Sequence, residues 1–329
     1  MKCPRRKFLH LAAGAAVLPA VSQTAWAQAY PSRPITIVVG AAAGGPTDTI
    51  ARIITERMRV PLGQTIVVEN NGAAAGSIAH GRIARATPDG YTLSLGHWGT
   101  HVVNAAVYTL PYDVLKDFEP VALISVSPYF MVGKRDLPAN DLKDLVAWLK
   151  ASGDKATQGT SGAGSPGHIG GVSLQSMLGT RWLFVPYRGA NPVMQALLAG
   201  DFDWTFTTPD QGLPQIRAGR IKPYAITARS RMALAPDIPT TDEAGLPGFH
   251  LSYWHGLWAP RGTPKAIVET LNAAVVAALA EPAVRQRLGD IGQEIFPREQ
   301  QRPESLGALQ KAEIEKWWPI IKEANIKAE

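Results

Sequence analysis

The sequence is almost without cysteine. Cys3 is the single thiol in 329 residues. That excludes an internal disulfide, and it leaves no thiolate metal ligand or cysteine nucleophile beyond the third residue. Charged residues are also scarce, at 18%, below the quarter usual in globular chains. With 46% hydrophobic residues, the chain can build a substantial core, and neither disorder nor a coiled coil is expected. The formal charge of +6 is concentrated at one end. Lys2, Arg5, Arg6 and Lys7 carry four of the six charges, leaving +2 over the rest. No basic run is interleaved with aromatics, so no nucleic-acid surface is expected. Past the first 27 residues no apolar run approaches the ~20 residues of a membrane helix, and the chain is not expected to span a bilayer.

The N-terminus has what the rest lacks. Arg5-Arg6-Lys7-Phe8-Leu9 is a twin-arginine pattern, Leu11 to Val21 is a short apolar stretch, and Ala25-Trp26-Ala27 is an A-x-A cleavage site. Together they predict an exported protein whose signal peptide, residues 1–27, is removed, so that the periplasmic chain starts near Gln28.

The remainder is organised around Ile35 to Arg52. Ile35-Thr36-Ile37-Val38-Val39 is a β-branched run of strand length. Gly40-Ala41-Ala42-Ala43-Gly44-Gly45 is a turn almost bare of side chains. Pro46-Thr47-Asp48 then opens a helical pattern with Ile50, Ile53, Ile54 and Met58 apolar. A strand, a small-residue turn and a helix start form a βα unit. Such a turn exposes amide N–H groups at the positive end of a helix and suits an anion.

Further units follow. Thr65–Glu69 is a strand before Asn70-Asn71-Gly72-Ala73, and Thr92–Gly96 is a strand before His97-Trp98-Gly99-Thr100-His101. A glycine-rich loop, Gly159-Thr160-Ser161-Gly162-Ala163-Gly164-Ser165-Pro166-Gly167, precedes a helix that begins at His168. Alternating strands and helices predict an α/β protein with parallel sheets. Loops after parallel strands share one edge, where open α/β sheets bind ligands. The domains are expected at 28–127, at 128–251, and in a return to the first over 252–329 with C-terminal helices. Pro319 is expected to kink or end the last helix.

Three sharper motifs are incomplete. Gly162-x-Gly164-x-x-Gly167 fits a dinucleotide fingerprint, but no Asp or Glu occurs from His168 to Gly200 to hold a ribose, and no cofactor is expected. Ala163-Gly164-Ser165-Pro166-Gly167 is a loose nucleophile elbow, with a proline against the serine and a histidine too near it. It leaves an α/β hydrolase as the rival reading. His97 and His101 are four apart, but no H-E-x-x-H is present, and no metal site is expected. Arg188 and Thr208 each follow a strand, and a guanidinium fork matches a carboxylate.

In this order the residues are similar to one family. Tyr30-Pro31-Ser32-Arg33-Pro34-Ile35, Gly44-Gly45-Pro46-Thr47-Asp48, Pro88-Asp89-Gly90-Tyr91-Thr92, Val185-Pro186-Tyr187-Arg188-Gly189 and Ala259-Pro260-Arg261-Gly262-Thr263-Pro264 carry the likeness. The chain resembles the Bug, or TctC-like, extracytoplasmic solute receptors of tripartite tricarboxylate transporters. The resemblance implies a two-domain clamshell of the type II periplasmic-binding kind, hinged on crossing strands. It also implies a monomer without catalysis, one small organic anion held between the domains, and membrane transporter subunits as partners. Ligand-binding positions are then expected at Ala42, Ala43, Gly44, Gly45, Asp48, Gly72, Ala73, Ser161, Ala163, Gly164, Ser165 and His168. His97, Trp98, Thr100, Tyr187, Arg188 and Thr208 complete the expected set. Gly40-Ala41-Ala42 and Gly72-Ala73 are smaller than the family's usual residues.

Overall fold

A computed structural model describes residues 30–327. The expectations at Arg5-Arg6 and at Ala25-Trp26-Ala27 lie outside them. β1 (Ile35–Val39) leads through the small-residue turn to α1 (Pro46–Leu62). β2 (Ile66–Asn70), α2 (Ser77–Ala84) and β3 (Thr92–His97) follow, then a π-helical turn at Gly99–Val103 and α3 (Asn104–Val107). The long β4 (Phe118–Pro128) passes directly into β5 (Phe130–Lys134). Three βα units come next: α4 (Leu142–Ser152) precedes β6 (Thr157–Thr160) and α5 (Pro166–Leu178), then β7 (Leu183–Pro186) and α6 (Ala190–Ala199), then β8 (Trp204–Thr207) and α7 (Pro209–Arg217). After β9 (Ile221–Ile226) a long connection reaches β10 (Ser252–Pro260), and α8 (Lys265–Ala280), α9 (Pro282–Asp290), β11 (Glu294–Ile295) and α10 (Pro303–Glu323) complete the described chain.

Two sheets result, in the orders β11-β4-β10-β3-β1-β2 and β7-β6-β8-β5-β9. The sheets are mixed, which corrects the all-parallel expectation. β1 pairs in parallel with β2 and β3, and β6 with β7 and β8, but β10 runs antiparallel to β3 and β4. The cause is the route of the chain. β4 ends where the chain leaves the first lobe, at Pro128, and β10 begins where it returns, at Ser252. A strand that starts at the lobe boundary must run away from it, against the strand that arrived there.

Thr227 ties the two crossings together. Its hydroxyl accepts from the Tyr129 amide at 2.9 Å and lies within hydrogen-bond reach of the carbonyls of Tyr129 (3.0 Å) and Leu251 (2.5 Å). All of this is buried, so the unmet groups would not recover their bonds from water. Thr227→Val keeps the shape and removes the hydroxyl. It is expected to lower stability by about 1–3 kcal/mol, read as a lower urea midpoint. An unchanged midpoint would show that these crossings do not need the tie.

The first sheet is covered on one face by α1, α8 and α9, around Ile37, Ile54, Leu271 and Val275. On the other face one continuous apolar cluster runs from Trp98 through Trp317 and Leu251 into Trp204 and Phe206 of the second lobe. Trp98 and Trp317 meet edge to face at 5.6 Å. This packing explains why α10 continues through Pro319. Trp317 and Ile321, on either side of the proline, are both buried. Their burial offsets the cost of a missing helical hydrogen bond, about 3 kcal/mol.

Candidate functional site

The edge of each sheet that carries the small-residue turns faces the other across a cleft of about 750 Å³. The first lobe contributes Ala41, Ala42, Gly44, Gly45 and Thr47 from the start of α1, with Ser127, Tyr253 and His255 from β4 and β10. The second lobe contributes Pro166, Arg188, Ala190 and Thr208 with its neighbours Asp210 and Gln211, from the starts of α5, α6 and α7. Tyr129, between the lobes, forms part of the floor.

The α1 start is held from beneath. The buried Asp48 carboxylate accepts from the Gly44 amide at 2.8 Å and from Arg52 Nε at 3.0 Å. Burial raises this carboxyl, but the bonds from Arg52, Gly44 and Asn70 outweigh it and hold it below its ordinary value. The helix begins at Gly45 with no side-chain cap. Its first amides are therefore left for whatever occupies the cleft.

Among the described residues, Arg188 and Asp210 are the charged side chains that line the cleft, and neither takes part in an ion pair. His255 adds no charge. Burial pushes its imidazole down to about 3, and its Nε2 lies 3.3 Å from Thr47 Oγ1. Tyr129 is held neutral by burial and by the nearby Asp210 carboxylate. The site thus offers amides, hydroxyls, a neutral imidazole and one guanidinium. It can hold an anion by hydrogen bonds.

The structure brings together Ala42, Gly44, Gly45, Arg188 and Thr208 in this cleft, with Ser161 in a small pocket opening from it. Other expected residues stand elsewhere. Trp98 is fully buried against Trp317 and cannot wall a ligand site. Thr100 is buried and closes its own turn on His97 and His101. His97 sits behind the wall, its ring 4.7 Å from Tyr253, and burial, with His255 and His80 nearby, drives its pKa well down. Asp48 supports the loop and does not line it. Gly72 packs against Ala41 and Ala42, and Ala73 beside it is exposed. Ala43 is exposed and is not among the residues lining the cleft.

The glycine-rich loop divides between two grooves. Ala163 and His168 face a second groove, on the side of α10's end. His168 meets Phe184 edge to face at 4.7 Å and accepts from the Gly164 amide. Gly164 lies against Val107, and Ser165 caps α5. Tyr187 turns its ring toward Phe202, 5.7 Å away. Reading the chain did not single out Ser127, Tyr129, Tyr253 and His255 as lining the cleft. The last two have a visible signal, since alternation along β10 puts Tyr253 and His255 on one face.

Two α/β lobes joined by crossing strands, with helix starts opposed across a cleft, define a solute-binding receptor of the periplasmic type. The chain belongs to the family described as "Tripartite tricarboxylate transporter family receptor", whose pattern matches residues 50–326. It is similar to the structure of the periplasmic binding protein BugD, with 38% identity over 91% of this chain and 100% of that one, and a TM-score of 0.76. It is also similar to MatC (Rpa3494) from Rhodopseudomonas palustris with bound malate, with 41% identity over 89% of this chain and 100% of that one, and a TM-score of 0.76. A third likeness is to R. palustris Rpa4515 with adipate, at 34% identity, 91% and 100% coverage, and a TM-score of 0.78.

Proposed function

We propose that this protein captures a small organic carboxylate in the interlobe cleft and delivers it, unchanged, from the periplasm to the membrane subunits of a tripartite tricarboxylate transporter. The observation that carries this reading is the pairing of an unpartnered Arg188 with the uncapped α1 start across one cleft. The proteins with bound malate and adipate support the ligand class. The crossings at Tyr129 and Leu251 serve as the hinge of closure, and the leader directs export. A hydrolase has no support in the site. Ser165 accepts from the His168 amide as a helix cap, and His168 Nδ1 accepts from Gly164.

A thermal-shift screen tests the reading. At a hundred times its dissociation constant the true ligand adds about 2.7 kcal/mol to the stability of the fold. Dicarboxylates, amino acids and benzoates are compared with their uncharged amides. Arg188→Ala is expected to weaken the acids by roughly 1.5–3 kcal/mol. Amides that stabilise the protein as well as the acids do would overturn the anion reading.

A further inference from the structure

The lobes meet at two glycines in the left-handed conformation, Gly164 at φ +72° and Gly292 at φ +73°. Gly164, in the second lobe, lies against the Val107 side chain of α3. A new Cβ there would stand 3.3 Å from a methyl group, which can shift. Gly292, in the first lobe between α9 and β11, lies against Pro209, the first residue of α7. A Cβ at Gly292 would stand 2.5 Å from the Pro209 Cβ and 3.0 Å from its Cγ. Carbon atoms pack at about 3.5–4.0 Å, so this second contact admits nothing larger than glycine.

Neither partner in it can yield by turning a side chain. Glycine has none, and the pyrrolidine ring is tied to its own backbone. Both are also anchored. The Gly292 amide donates to the Gly289 carbonyl at 2.8 Å and the Gln293 amide to the Leu288 carbonyl at 2.9 Å, which closes the end of α9. The buried Gln293 side chain accepts from Ser125 Oγ at 2.9 Å. On the other side Pro209 is buried, and the Thr208 carbonyl accepts from the Gly212 amide at 2.8 Å.

The contact stands beside the crossing between the lobes. Glu294, just after Gly292, pairs with Val126 of β4, and Thr207, just before α7, pairs with Phe130 of β5. It also faces the cleft, because its chain neighbours Ile291, Gln293, Thr208 and Asp210 all line it. Rotation of the lobes toward each other about the crossing therefore presses Gly292 onto Pro209, and rotation apart separates them.

We propose that Gly292 and Pro209 form a hard stop that sets how far the two lobes close, and with it the width of the cleft and the size of ligand that both walls can touch. This rests on the reading of the cleft as the capture site and deepens it. A small displacement at the stop is enlarged at the far rim, because the stop lies close to the crossing strands.

Spin-label distances test it with no ligand added. Ala43, in the turn before α1, and Gln195, on α6, are exposed and belong to opposite walls. Each is replaced by a labelled cysteine in a Cys3→Ser background. The distance distribution is expected to reach a short limit at which the lobes touch. Gly292→Ala should move that limit outward, and adding Pro209→Gly to it should bring the limit back. Gly262→Ala has φ +84° and nothing within 4 Å of a new Cβ. It carries the same left-handed cost and should leave the limit in place. An unchanged limit in Gly292→Ala, or a double variant as open as the single one, overturns the stop. The thermal-shift comparison of acids with amides is independent of either outcome, so the carboxylate reading stands or falls separately.

Discussion

Stability is expected to fall steeply as the pH drops below about 6.5. Four histidines cluster at the cleft wall of the first lobe, His255 in the wall itself and His80, His97 and His101 behind it. His80 and His101 meet at 4.8 Å, and His97 and His255 at 6.1 Å. Gly40 and Gly96 make room for them, since a Cβ at either would collide with His80 or His101. His101 stacks on Trp258 at 3.7 Å. Burial drives His80 from its ordinary 6.5 to about 4 and His255 to about 3, and pushes His97 and His101 well down. The unfolded chain would take up these protons near pH 6.5, whereas the fold refuses them. Their stabilising contribution is therefore complete above 6.5 and is lost as the pH falls toward the depressed values. Each group contributes a slope of about 1.4 kcal/mol per pH unit. For His80 and His255 together the loss by pH 4.5 is roughly 5 kcal/mol, a large part of a typical domain's 5–15 kcal/mol. Urea unfolding at half-unit steps from pH 7.5 to 4.5 measures it, and His80→Gln should flatten the slope by about one proton. A curve that stays level down to pH 5 would mean that these imidazoles gain protons without unfolding.

Gly76→Ala is expected to be the most damaging single methyl in the first lobe. Gly76 has φ +84°, and a Cβ there would collide with the carbonyl oxygen of Gly40, with the Gly40 Cα only 3.0 Å away. The obstacle is backbone, so no rotamer change relieves it. The left-handed conformation costs an alanine about 1–2 kcal/mol. Displacing the neighbouring strand end adds about 1–3 kcal/mol. Gly40 opens the turn that forms one wall of the cleft, so ligand affinity should fall with stability. Gly63→Ala is the control. It has φ +62° and nothing within 4 Å of a new Cβ, so it should show only the left-handed cost. Equal destabilisation by the two changes would mean that the packing of the two turns tolerates a methyl group.

Much of the scaffold was legible in the chain because its signals are local. The β-branched run at Ile35–Val39, the proline at Pro46 and the small residues between them specify a strand, a turn and a helix start through nearest neighbours alone. The same holds for the turn at Pro88-Asp89-Gly90 and for the helix stripe Val268, Leu271, Val275 and Leu279. The expected loops did supply part of the cleft. Yet a turn places its residues on both of its sides, and spacing does not say which side is inward. Ala42 and Gly44 face the cleft while Ala43 does not. Ser161 reaches its side pocket, whereas Ala163 and His168, a few residues on, face another groove.

Only the tertiary structure decided the rest. The run His97-Trp98-Gly99-Thr100-His101 reads as a polar, aromatic rim. In the fold it is the end of β3 and the start of a π-helical turn packed against α10, and Trp98 is buried by Trp317, more than two hundred residues away. The opposite wall depends equally on distance. Tyr253 and His255 reach the cleft because β10 inserts between β3 and β4, and that pairing is set by where the chain crosses back between lobes. Sequence alone determined the local elements and the family, because these depend on neighbouring residues and on motif order. Which side chains meet across the cleft depends on strand insertion and long-range burial. Those are properties of the packed chain as a whole, and no local pattern carries them.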